Sequence, residues 1–81
     1  MSNTFVYITK KEGECYSLRS RENMEDYLKD LDDMGRVGYS MVKSFRVPNE
    51  LAGPVIGACS EFIKGNLSLD DLEIKVEALS K

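Results

Sequence analysis

The segment ECYSLRSRE sets Cys15 six positions before Arg21, the spacing with which cysteine-dependent phosphatases surround a phosphate. That chemistry needs a loop of small residues whose backbone N–H groups turn inward, with a helix N-terminus beneath the anion. It also needs cations that hold the thiol as thiolate. The segment contains no glycine, and Tyr16 and Leu18 alternate as strand residues do. Cys15 therefore reads as a cysteine within a hairpin, flanked by surface arginines.

Cys59 lies in a second stretch with chemical potential, GPVIGACS. A phosphate loop ends in Gly-Lys-Ser/Thr, and a nucleophile elbow carries glycines two positions either side of its nucleophile. Cys59 has Gly57 before it but Glu61 after it. It also falls in the middle of an apolar arc, which suits a small core residue. The chain contains no histidine, which removes Ser-His-Asp and Cys-His catalysis, histidine general-base work and every histidine-containing zinc site. Two cysteines alone do not complete a four-ligand zinc site. No enzymatic activity, cofactor or metal is expected.

Charge patterning carries more signal. Glu22, Glu25, Asp26, Asp30, Asp32 and Asp33 occupy the arc of one helix opposite its apolar stripe, with only Arg21 and Lys29 among them. Glu22, Glu25 and Asp26 suit the positive end of the helix dipole, and Glu25 pairs favourably with Lys29. Asp30, Asp32 and Asp33 sit at the negative end, where each costs a few tenths of a kcal/mol. A local rule broken without local benefit marks the arc as a docking face for a basic partner. The partner-binding residues expected are Glu22, Glu25, Asp26, Asp30 and Asp33, with Tyr39 and Ile74 as apolar anchors.

The elements that position these residues follow from periodicity. Phe5 to Ile8 form a β-rich run, Lys10 to Gly13 supply turn chemistry, and Cys15 to Ser20 return as a second strand. Ser20 stands where an N-cap belongs, and Met24, Tyr27, Leu28, Leu31 and Met34 follow at helical spacing until Gly35 offers a left-handed cap. A third strand covers Val37 to Val47 and stops before Pro48. A second helix starts at Pro54, with Asn49 as a rival start. Val55, Ile56, Cys59, Phe62 and Ile63 share its apolar arc, and Gly65 terminates it. Ser68 caps a last helix with Leu69, Leu72, Val76 and Leu79 on one stripe and Ile74 opposite. The expected fold is a single small α+β domain, ββαβαα, with a three-stranded antiparallel sheet in order 2-1-3 covered by helices.

The chain has 81 residues, a net charge of −3 and a pI near 4.9, so its bulk charge repels nucleic acid and anionic membrane. The N-terminal apolar run is too short for a signal peptide, and two cysteines are too few for a disulfide scaffold, which points to the cytoplasm. Small proteins of this acidity and poverty in catalytic groups resemble phage-encoded host-takeover and anti-defence inhibitors as a class. That resemblance, one of size and charge, implies a non-enzymatic regulator docking on a larger basic or nucleic-acid-handling protein. Two further readings stand beside it. Tyr39, Met41, Phe45 and Val47, joined by Phe5 and Tyr7, would form a sheet face able to stack single-stranded nucleic acid unless the last two helices cover it. Self-association through the third strand or the last helix would make a homo-oligomeric structural protein.

Overall fold

A computed structural model describes residues 2–80. The chain forms β1 (Asn3–Lys11), β2 (Tyr16–Arg21), α1 (Met24–Arg36), β3 (Tyr39–Pro48), a short 3₁₀ turn at Asn49–Leu51, α2 (Ala52–Ile63) and α3 (Leu69–Leu79). This is the expected ββαβαα order. β1 pairs antiparallel with both neighbours, giving the sheet order β2-β1-β3.

The central place of β1 follows from its sequence. Successive strand side chains point to opposite faces, so the run Phe5-Val6-Tyr7-Ile8 needs cover on both. Val6 and Ile8 pack with Val47, Val55, Ala58, Cys59, Leu72 and Val76, beneath α2 and α3. Phe5 and Tyr7 pack with Met34, Tyr27, Leu31 and Tyr39, beneath α1. All four strand residues are buried, and each contributes on the order of 1.5–3 kcal/mol by leaving water. The sheet is thus the middle layer between one helix and a pair.

The hairpin turn uses Gly13 at φ 82°, a left-handed conformation that costs glycine little. Cys15 lies in the connection, one residue before β2 begins, and is exposed; it is outside the ladder in which the strand periodicity had placed it. Residues 16–21 are extended and separate Cys15 from Arg21 by roughly 20 Å at strand rise. A phosphate loop would need to bring the two together.

α1 begins later than the Ser20 cap predicted. Ser20 stays in β2, opposite Val6, and the cap is Asn23, whose Oδ1 accepts from the Glu25 backbone N–H at 2.8 Å. Gly35 lies inside the helix, and the left-handed residue is Gly38, at φ 96°. Val37 and Gly38 make the turn, so β3 starts at Tyr39. The predicted apolar stripe also divides. Tyr27, Leu31 and Met34 face the sheet, whereas Met24 and Leu28 are 47% and 55% exposed.

A bulge in β3 changes which of its residues share a face. Ile8 aligns with Lys43 and Thr9 with Met41, leaving Val42 as the extra residue. Val42 packs with the α2/α3 cluster. Before the bulge, Tyr39 and Met41 align with Lys11 and Thr9 on the α1 side; after it, Phe45 and Val47 align with Val6 and Thr4 on the other. The single face expected for Tyr39, Met41, Phe45 and Val47 is therefore split, because strict alternation counted through the extra residue.

α2 starts at Ala52, led in by the turn at Asn49, and Pro54 sits within its first turn. Gly65, at φ 88°, ends it. α3 begins as predicted: Ser68 Oγ accepts from the Asp71 backbone N–H at 3.1 Å. Leu72 and Val76 are buried while Ile74, on the opposite face, is 63% exposed.

Candidate protein-binding face on the first helix

α1 carries the predicted acidic arc, and the fold sorts its carboxylates into two groups. Asp30 turns inward. It accepts a hydrogen bond from the Tyr7 hydroxyl, lies 3.0 Å from Arg19 Nη1 and 3.7 Å from Arg21 Nη2, and its side chain is only 12% exposed. The Tyr7 ring comes from the central strand, so its hydroxyl needs a partner inside the layer, and Asp30 supplies it. Burial chiefly, then the hydrogen bond to Asp30 and that carboxylate's charge, hold the Tyr7 phenol protonated well above the ordinary tyrosine range.

This arrangement accounts for a carboxylate at the unfavourable end of the helix dipole, since tertiary partners outweigh a few tenths of a kcal/mol. Asp32 is explained more simply, by an i,i+4 pair with Arg36 at 2.9 Å. Asp30 is therefore an internal polar node rather than one of the outward docking acids, a correction that came from Tyr7, Arg19 and Arg21. The clue in the sequence was a tyrosine in an apolar run buried on both faces.

Glu22, Glu25, Asp26 and Asp33 remain. All four are exposed, and none makes an ion pair among the described residues. Asp26 and Asp33 lie two helical turns apart and border, with Arg21, Lys29 and Asp30, a shallow hollow of about 200 Å³. Glu22 and Glu25 flank it at the helix start. Of the predicted anchors, Tyr39 is half-buried against Phe5, Tyr7 and Met34 and borders, with Asp33, Asp30 and Arg19, a second hollow of about 330 Å³, whereas Ile74 belongs to α3, in the other helical layer. Met24 and Leu28 are the apolar residues that do protrude from α1, on its flank toward β3.

The remaining chemical candidates are quickly placed. Cys59 is fully buried, and burial pushes its thiol up to about 11, the opposite of what a nucleophile needs. No group of His, Cys, Asp or Glu among the described residues is arranged to hold a metal. No helix among them is long and apolar enough to cross a membrane. The sheet aromatics proposed for base stacking are divided: Phe5 stacks on Tyr27 at 4.3 Å beneath α1, while Phe45 lines a groove of about 650 Å³ between β3 and α3. Lys43, in that groove, is ion-paired with Glu73 of α3. No protein family, curated protein or solved structure matches this chain.

Proposed function

We propose that this chain is a non-enzymatic protein-binding module that docks through the outer face of α1 on a larger protein with a basic surface. The observation that carries the reading is the exposure of Glu25, Asp26 and Asp33 on α1, and of Glu22 just before it, with no ion pair among the described residues, while Asp30 and Asp32 of the same helix are paired. Unpaired like charges on one rigid element raise the encounter rate with a basic surface and reject acidic ones. A nucleic-acid-handling protein presents such a basic surface, and an acidic helix competes for it with the nucleic acid. The module then acts as an inhibitor or regulator in the cytoplasm, of the kind phages use for host takeover or anti-defence.

The test is affinity capture from lysate of the native host, with and without nuclease, using the wild-type chain and Glu22→Lys, Asp26→Lys and Asp33→Lys combined. A nuclease-resistant protein recovered by the wild type and lost by the variant at low salt supports the acidic face. Equal recovery by both chains would sink it. Circular dichroism of the variant confirms that α1 is still folded.

A further inference from the structure

β3 is an edge strand whose outer N–H and C=O groups have no strand partner among the described residues, a template for another extended chain. A hollow of about 650 Å³ runs along it, walled on one side by all five residues from Lys43 to Val47 and on the other by Glu73, Val76, Glu77 and Ser80 of α3. Successive strand residues face opposite sides of a sheet, so a hollow that touches five in a row lies along the strand's edge rather than on either face. We propose that this slot takes an extended segment of a partner protein, which adds to β3 as a fourth, antiparallel strand.

The walls match such an occupant. The α3 residues form one helical stripe, at spacings of three, four and seven, and its length of about 10 Å stands beside roughly 13 Å of β3. Lys43 and Glu73 are paired at one end, so Glu77 and Ser80 lie toward Val47. On the other sheet face, α1 overhangs the same edge. Asp30 reaches Arg19 and Arg21 of β2 from one flank of α1, and the Tyr27 hydroxyl lies 2.7 Å from Ser44 Oγ. Met24 and Leu28 stand on the β3 flank, 47% and 55% exposed. The slot thus lies between α3 and apolar side chains of α1. β3 of a second copy would bring its own α3 into the space that this α3 fills, so the occupant is an extended segment that carries no helix.

Register and charge define its chemistry. Residues opposite one another in a ladder point to the same face. Beyond the bulge, Lys43, Phe45 and Val47 point toward α2 and α3, and Ser44 and Arg46 toward α1. An apolar residue opposite Phe45 fits between that ring and Val76, and another opposite Ser44 meets Leu28. Arg46 and Glu77 are exposed and make no ion pair among the described residues. Arg46 favours an acid opposite it, and Glu77 favours a base opposite Val47, at the end away from Lys43. The segment recognised therefore reads base-acid-apolar-apolar from its N-terminus. It uses none of Glu22, Asp26 and Asp33, so it stands or fails apart from the acidic-face reading.

The probe is the fluorescein-labelled peptide Ser-Lys-Glu-Val-Ile-Thr-Ser-amide, titrated with the full chain and read by fluorescence anisotropy. Saturable one-to-one binding is expected, with exchange protection gained by β3 amides between Lys43 and Val47. Glu77→Lys, at an exposed position, should weaken binding roughly tenfold, and a peptide with glutamate in place of its lysine should recover the loss. Leu28→Asp should weaken it to a similar extent, roughly tenfold. Adjacent residues of a strand present their N–H groups to opposite sides. Of two peptides N-methylated at the valine or at the isoleucine, one should therefore lose binding and the other keep it. No binding at the highest soluble concentration would overturn the proposal. So would protection confined to β2, equal binding by both N-methylated peptides, or indifference to Glu77→Lys and Leu28→Asp. Protection of Lys43 to Val47 that rises with protein concentration in the absence of peptide would assign the edge to a second copy and overturn it as well.

Discussion

Tyr7 and Asp30 join the centre of the sheet to α1 through a hydrogen bond in which the phenol donates and the carboxylate accepts. Because the acceptor is charged and largely shielded, Tyr7→Phe is expected to lower stability by roughly 2 kcal/mol. Removing the exposed partner by Arg19→Ala should cost less than about 1 kcal/mol. Urea unfolding of both variants, and of Tyr7→Phe in an Asp30→Asn background, checks the coupling. If Tyr7→Phe costs the same in both backgrounds, the bond contributes nothing.

Alkaline pH should destabilise the fold in two stages. Cys59 titrates near 8.5 in an unfolded chain and at about 11 when buried; Tyr7 titrates near 10 unfolded and higher when folded. In both windows the folded chain holds the proton that the unfolded chain has lost, so stability falls as pH rises. Below about pH 8.5 both contributions are fully present. Unfolding free energies measured up the alkaline range should flatten in the lower stage with Cys59→Ala and in the upper with Tyr7→Phe. Slopes identical to wild type in both variants would contradict this.

Two neighbouring glycines should respond oppositely to alanine. Gly35 is helical and exposed, and a methyl group there meets nothing within 4 Å, so Gly35→Ala should stabilise by about 0.5–1 kcal/mol. Gly38 is left-handed at φ 96°, and Gly38→Ala should cost about 1–2 kcal/mol. Thermal melts of the pair decide whether α1 runs through Gly35, and a loss of stability in Gly35→Ala would place the helix end there.

Within α3, burial separates two apolar residues of similar size. Leu72 is fully buried and Ile74 is 63% exposed. Leu72→Ala should cost about 2–5 kcal/mol by leaving a cavity, whereas Ile74→Ala should stay within about 0.5 kcal/mol in dilute solution. A large effect at Ile74 that grows with protein concentration would instead reveal a contact with another molecule.

Much of this fold was legible because single residues decide single elements. The doubly apolar run from Phe5 to Ile8 demanded the central strand, Ser68 announced α3, and Gly13 and Gly65 marked a turn and a helix end. What stayed hidden depended on distant partners. The α1 cap moved from Ser20 to Asn23 because the ladder with β1 claims Ser20. Val42 became a bulge because Ile8 and Thr9 step past it, and no local signal in YSMVKSF distinguishes that from plain alternation. In the acidic face, the role of Asp30 was set by Tyr7, Arg19 and Arg21, three residues on two other strands. Glu25, Asp26 and Asp33 were legible as outward because exposure on a helix follows from spacing alone, whereas Glu22 falls before the Asn23 cap and is exposed outside the helix.

The central position of β1 also bears on how the chain is made. During translation β1 emerges first, and β2 follows almost at once, so a hairpin can close early. Its other neighbour, β3, ends at Pro48, and the helices that cover Val6 and Ile8 come later still. Until then the nascent chain presents a bare aliphatic strand edge and face to the cellular milieu, the kind of surface that chaperones bind. Val6 and Ile8, at the centre of the finished core, are thus the core residues that the ribosome releases longest before they can be covered.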